Sequence, residues 1–121
     1  MATTMDLPLP IADFFRMKNE QDDSGLPSLF SDDATVVDGG EGKTMHGRDD
    51  IRSWVPKSIA GINLHTEIES CEEQDGRWIV DTMMRGDFKA SPARFLYTVG
   101  LRSNKISALR VDFLGSLKEI S

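Results

Sequence analysis

The hydrophobic period of this chain changes once, and that change restricts the folds open to it. Before Gly61 the longer apolar patterns recur at helical spacing; from Ile62 onward they alternate every second residue. Ile11, Phe14, Phe15 and Met17–Lys18 form a rough helical stripe. Pro10 opens it, in a first turn where a missing N–H does no harm. The spacing predicts a helix from Pro10 to about Gln21, ended by Asp22, Asp23, Ser24 and Gly25, then a short second helical turn through Leu26, Leu29 and Phe30. Ala34–Val37 and Lys43–His46 read as two short strands around a turn holding Gly39, Gly40 and Gly42. A third helix opens at Gly47–Asp50, with its acids in the first turn where the helix dipole favours them. Ile51, Trp54, Val55 and Ile59 are its apolar face, and Gly61 stops it.

Beyond that point Ile62, Leu64, Thr66 and Ile68 alternate with Asn63, His65, Glu67 and Glu69. Asp75-Gly76 is a hairpin signal, because both residues tolerate the positive φ that a tight two-residue turn demands. Trp78 to Gly86, Ala93 to Leu101 and Ile106 to Leu114 follow as strands, with Ser103-Asn104 turning between the last two. Helices first and long antiparallel strands last is an α+β pattern, with helices on one face of the sheet. No repeat or linker divides the chain, so residues 1–121 are expected to form one domain.

Charge and cysteine usage narrow the partners. A net charge of -6 with scattered Arg77, Arg85, Arg94, Arg102 and Arg110 does not suit nucleic acid, which needs clustered cations. The acids from Glu67 to Asp75 read as a solvated hairpin end. Cys71 is alone, so no disulfide within the chain is possible, and its acidic neighbours disfavour a thiolate. The start of the chain lacks a signal-peptide pattern, and no stretch approaches the ~18 apolar residues of a membrane span. A cytoplasmic protein with no membrane partner is the expectation. No His-x-His or carboxylate–His spacing points to a metal, and the glycines of the turn precede no phosphate-binding helix, so no cofactor is expected.

Two segments, Leu29-Phe-Ser-Asp-Asp-Ala-Thr-Val-Val-Asp38 and His46-Gly-Arg-Asp-Asp-Ile-Arg-Ser-Trp54, resemble the nuclear-transport-factor-2-like superfamily, which includes the SnoaL-like polyketide cyclases and the ketosteroid isomerases. Gly86-Asp-Phe88 before Ser91-Pro92, the Phe95-x-Tyr97 strand and Lys105–Leu109 extend the likeness over nearly the whole chain. The resemblance implies a cone-shaped, curved mixed or antiparallel sheet with about three N-terminal helices covering its concave face. It places Asp38 where ketosteroid isomerases carry a general base, and Trp54 where they have a pocket-lining aromatic. Phe14 stands where they have a tyrosine hydroxyl and Tyr97 where they have a protonated aspartate, so one of their two hydrogen-bond donors is missing here. A superfamily with isomerases, dehydratases, hydrolases and non-enzymes fixes fold better than function.

Read from the residues alone, Asp38 has two interpretations. A carboxylate at the rim of an apolar pocket is fitted by desolvation for proton transfer; an Asp before glycines also starts turns by bonding the backbone N–H groups that follow. Tyr97, the single tyrosine, shares a strand face with Phe95 and Val99, as a donor to a substrate oxygen or as a core residue. His46 reads as local scaffolding, and the resemblance to the dehydratases of the superfamily implies His65 with Asp23 as an alternative site. Phe14, Trp54, Trp78, Val80, Phe95, Leu109, Val111 and Phe113 lie on stripes and alternating positions that can converge on one interior; the cone-shaped fold that the resemblance implies turns that interior into a pocket for a small hydrophobic ligand. Three functions stay open: a proton-transfer enzyme on a small hydrophobic carbonyl compound with Asp38 as acid or base, a non-catalytic binder of such a compound, and a dimeric interaction module. The partly apolar outer face with Ile79, Met83, Leu96 and Thr98 predicts a homodimer.

Overall fold

The structure, a computed structural model, describes residues 7–22, 24–39, 42–59 and 64–117, with the backbone alone over 56–59. The expected roles of Gly40, Gly61, Ile62, Asn63 and Asp23 lie outside the described residues. Helix α1 spans Leu9–Glu20 and places Ile11, Phe14, Phe15 and Lys18 on one buried stripe. It ends at Gln21, whose left-handed backbone (φ 58°) turns the N–H groups of residues 21 and 22 back onto the carbonyls of Lys18 and Met17. The short second helical turn is a 3-10 turn, Leu26–Leu29, so the expected three helices are two α-helices and one such turn. Four residues opened by Gly25-Leu26-Pro27 have room for little more. Helix α2, Gly47–Ile59, buries Ile51 and Val55. Its start is fixed by the His46 N–H donating to the Asp50 carboxylate at 3.1 Å. Arg48 adds an ion pair to Asp32 (2.7 Å) and a bond to the Phe30 carbonyl (2.6 Å).

Six strands form one sheet: β1 (Phe30–Asp38), β2 (Lys43–His46), β3 (His65–Gln74), β4 (Arg77–Arg85), β5 (Ala93–Arg102) and β6 (Lys105–Ser116), in the order β2-β1-β6-β5-β4-β3. Among the described residues only the β1–β6 pair is parallel, which makes the sheet mixed. Asp75 and Gly76 (φ 52° and 80°) and Ser103 and Asn104 (φ 53° and 65°) make the two tight hairpins as expected. The register shifts at 30/35, 68/70, 94/95 and 100/101 interrupt the regular ladders, and interruptions of this kind bend and twist the strands that carry them.

Residues paired across neighbouring strands share a face. One row runs Asp38–Val111–Tyr97–Val80–Cys71, the next Phe113–Phe95–Thr82–Ile68, and a third Ser116–Ala93–Met84–Thr66. These rows belong to the concave face that α1 covers. Phe14 and Phe15 meet the Tyr97 ring edge-on, at centroid distances of 6.0 and 4.9 Å. The side-chain amide of Asn19 clamps the backbone of Thr66 with bonds of 2.9 and 2.7 Å, fixing the last turn of α1 to β3.

Lys18 is the exception in this core. It is 4% exposed, and its Nζ reaches the Thr66 hydroxyl at 3.4 Å and the Met84 sulfur at 3.8 Å. Burial pushes its pKa down to about 8. The unfolded chain therefore holds this proton more tightly than the folded one. Folding bears the full penalty, about 3 kcal/mol, below pH 8, and sheds it as pH rises towards the ordinary lysine value. Lys18→Met is accordingly expected to stabilise the protein by roughly 2–3 kcal/mol at neutral pH, the gain shrinking towards pH 10. Urea denaturation of both proteins across that range checks it, and a gain independent of pH would contradict the assignment.

Candidate functional site

Strand β1 ends at Asp38 because the next residue lies against β6. The Gly39 N–H donates to the Val111 carbonyl at 2.7 Å, and a Cβ at residue 39 would fall 2.8 Å from that oxygen and 2.5 Å from an Asp112 carboxylate oxygen. Glycine is needed there for the close approach. The bond also takes the first N–H after Asp38 into the sheet. The Asp38 carboxylate receives the indole N–H of Trp54 at 3.2 Å. A strand end and the middle of α2 thus hold one half-buried carboxylate between them.

Tyr97 lies two strands from Asp38 in the same row, with Val111 between them. It is 1% exposed. Burial pushes its phenol pKa well above the usual tyrosine range, and the Asp38 charge pushes it further. The phenol therefore keeps its proton beyond the pH at which an ordinary tyrosine loses it. The pair has the parts of a base and a neutral hydrogen-bond donor on one apolar face.

The eight expected ligand-lining residues divide by depth. Phe14, Val80 and Leu109 are enclosed at 2% exposure or less, with Phe14 edge-on to Phe30 as well as Tyr97. Trp54, Trp78, Phe95 and Val111 are half-buried, and Phe113 is exposed. Phe95 meets Phe113 at 5.5 Å and Phe88 at 6.4 Å between centroids. Trp54, Val111, Phe95 and Phe113 therefore make a partly open apolar rim beside Asp38, while Trp78 sits on the row of Val36, Leu109 and Val99. Sequence reasoning missed Phe88, which lies between strands where alternation says nothing, and Lys18, whose place on the apolar stripe was the available signal. His46 is exposed, its ring nitrogen 3.3 Å from the Thr35 hydroxyl, and His65 is exposed at the start of β3. Among the described residues no group of three His, Cys, Asp or Glu side chains is arranged to hold a metal. A separate surface groove of about 380 Å³, lined by Pro8, Leu9, Asp13, Leu29 and Lys105 among others, contains none of the expected site residues.

Comparison with known proteins agrees with this architecture. The SnoaL-like domain family matches residues 11–108. A protein provisionally assigned as a polyketide cyclase from Sinorhizobium meliloti superposes with a TM-score of 0.83 at 23% identity, over 92% of this chain and 100% of that one. A protein of ketosteroid-isomerase-like fold from Catenulispora acidiphila, solved with trimethylamine, gives 0.77 at 23% identity, over 95% and 88%. A computationally designed 17-OHP binder gives 0.72 at 14% identity, over 88% of each chain. No curated protein matches in sequence. With four-fifths of its length matched by the family and the fold shared, the chain belongs to the SnoaL-like domains of the nuclear-transport-factor-2-like superfamily.

Proposed function

We propose that this protein binds a small hydrophobic carbonyl compound against the rim of its concave face and moves a proton on it, as an isomerase, cyclase or dehydratase does. The observation that carries this reading is the Asp38 carboxylate, fixed by the Trp54 indole N–H, on the same face as a tyrosine that stays protonated. Asp38 takes or returns the proton next to the carbonyl. Tyr97 is the group of suitable chemistry for the oxygen on which charge develops. The relatives named as a polyketide cyclase and of ketosteroid-isomerase-like fold suit this reaction class. A second reading, a non-catalytic binder, draws on the edge-on packing of Phe14 and Phe15 against Tyr97, which encloses the phenol ring, and on the designed binder of the same fold.

Exchange of α-protons into deuterated water, followed by NMR with α-tetralone and planar cyclic enones as probes, separates the two. The enzyme reading expects exchange that falls at least ~100-fold in Asp38→Asn, with ligand binding retained. Binding without Asp38-dependent exchange favours the binder, and neither binding nor exchange would sink both. Tyr97 gives an independent check, since it is the single tyrosine. Its raised folded pKa means that its stabilising contribution is whole below the ordinary value of about 10 and is lost as pH rises beyond it. Ultraviolet titration is expected to show no tyrosinate until the protein unfolds; ionisation at the ordinary value in the folded state would contradict the enclosed placement.

The outer sheet face supports a homodimer, and a cytoplasmic location is proposed from the sequence reading alone. Ile79, Leu96 and Thr98 are only half-buried there, whereas Met83, expected on the same face, is already buried within the chain, and one Asp81 oxygen and the Arg94 Nε are buried without a hydrogen-bond partner. A twofold contact on this face would cover the apolar area. Light scattering at micromolar concentration is expected to give twice the 13.5 kDa chain mass, and a monomer alone would refute it.

A further inference from the structure

The concave face holds a chemically active group that proton transfer at Asp38 does not use. Lys18 occupies a core position of α1, and the whole side chain including its Nζ is enclosed, whereas lysines usually bury the stem and keep the amine in water. The Asn19 clamp on Thr66 and the contacts of Nζ with Thr66 and Met84 fix the amine between α1 and strands β3 and β4. The charged groups on these elements are directed elsewhere. Asp13, Arg16 and Glu20 pair with one another on the exposed side of α1. Glu67 pairs with Arg85 and Asp81 with Arg94 on the outer face, where Glu69 is also exposed. Among the described residues the amine has neutral partners. It lies one row, about 7 Å by strand rise, from the Phe95–Thr82 row, where Phe88, Phe95 and Phe113 offer a partly open apolar surface.

We infer that Lys18 is a nucleophilic amine that condenses reversibly with small apolar aldehydes to form an imine on the concave face. The lone pair of neutral Nζ forms a C–N bond to the carbonyl carbon, and the C=O π pair moves to oxygen, which takes a proton. The resulting carbinolamine expels that oxygen as water while the C=N bond forms. Both hydrogens of the amine leave in the water, so no oxidant or reductant is consumed. The Thr66 hydroxyl, 3.4 Å from Nζ, is the nearest group to relay those protons. An apolar surround favours the uncharged amine and the uncharged imine over the ammonium ion, the same desolvation that activates imine-forming lysines generally. This goes beyond the proton-transfer reading and does not rest on Asp38.

The test uses the full chain with propionaldehyde and sodium cyanoborohydride, which reduces an imine to a stable secondary amine, followed by peptide mass mapping. Near neutral pH, Lys18 is expected to label at least ~10-fold faster than the exposed Lys43 and Lys89, with a rate rising through about pH 8. Lys18→Arg removes that adduct and leaves the other lysines labelling as before. Charged glyoxylate is expected to label Lys18 several-fold more slowly than propionaldehyde, because its carboxylate must enter an apolar surround. Labelling of Lys18 in the folded wild-type chain no faster than Lys43 overturns the inference, whatever the stability of the variant. Equal labelling by glyoxylate overturns the preference for apolar aldehydes. Asp38-dependent proton exchange is measured without reductant and is unaffected by either result.

Discussion

The parallel pairing of β1 with β6 is the contact on which the rest of the structure turns. Two strands far apart in sequence lie side by side, in register from Thr35↔Ala108 to Asp38↔Val111. Without it β1 and β2 would be a loose hairpin with no place in the larger sheet, and α2 would have no floor. With it, the end of β1 stops against β6 in a geometry tight enough to require Gly39, and the Asp38 carboxylate is delivered to the concave face. Helix α2 follows directly from β2, so the same pairing sets the approach of Trp54 to that carboxylate. A parallel pair forms only after a long connection has closed, so the site depends on a late and non-local contact.

Around that frame the interior is divided by polarity. Near β1 the polar groups are compatible: an indole N–H donates to a carboxylate, and burial, with the carboxylate's charge as a second cause, raises the pKa of the Tyr97 phenol. Near β3 and β4 one amine meets a hydroxyl and a thioether, partners too weak to compensate an ammonium ion fully. Between them the aromatic rings of Phe14, Phe15 and Tyr97 form a rigid apolar wall. Opposite preferences for charge at the two ends of one face would keep the two proposed chemistries apart.

Much of the fold was legible because the sequence patterns are local. The strand that follows the second helix, the Asp75-Gly76 and Ser103-Asn104 turns and the described parts of both helix stripes appear in the structure close to where the patterns put them. Asp38 and Tyr97 were nominated from the resemblance, and strand pairing places them in one row through Val111. The depth of each residue was not legible. Alternation assigns Val80 and Phe113 to the same face, yet one is wholly buried and the other is 47% exposed. That difference comes from where α1 and the segment bearing Phe88 end, which is a matter of packing and not of period. Lys18 shows the reverse failure. Its position on the apolar stripe was plain, but composition assigns lysine to the surface, and only the Asn19 clamp beside it shows how the turn of α1 that carries the amine is held against β3.

Burial of Lys18 also bears on why such a residue sits in this core. An apolar side chain of similar length would fill the same volume without the desolvation penalty, so packing alone gives no reason for the amine. Arginine would not serve either, because its guanidinium stays charged and would carry the full cost at every accessible pH. Lysine is the side chain that fits the stripe and sheds its charge within a few pH units of neutrality. The stability it forgoes is the kind that functional sites commonly sacrifice, where a group is held in surroundings it would not choose. Tyr97 is burdened far less, since its neutral form is the one that both burial and the Asp38 charge favour. Of Lys18 and Tyr97, the lysine is therefore the one whose presence most needs a chemical role.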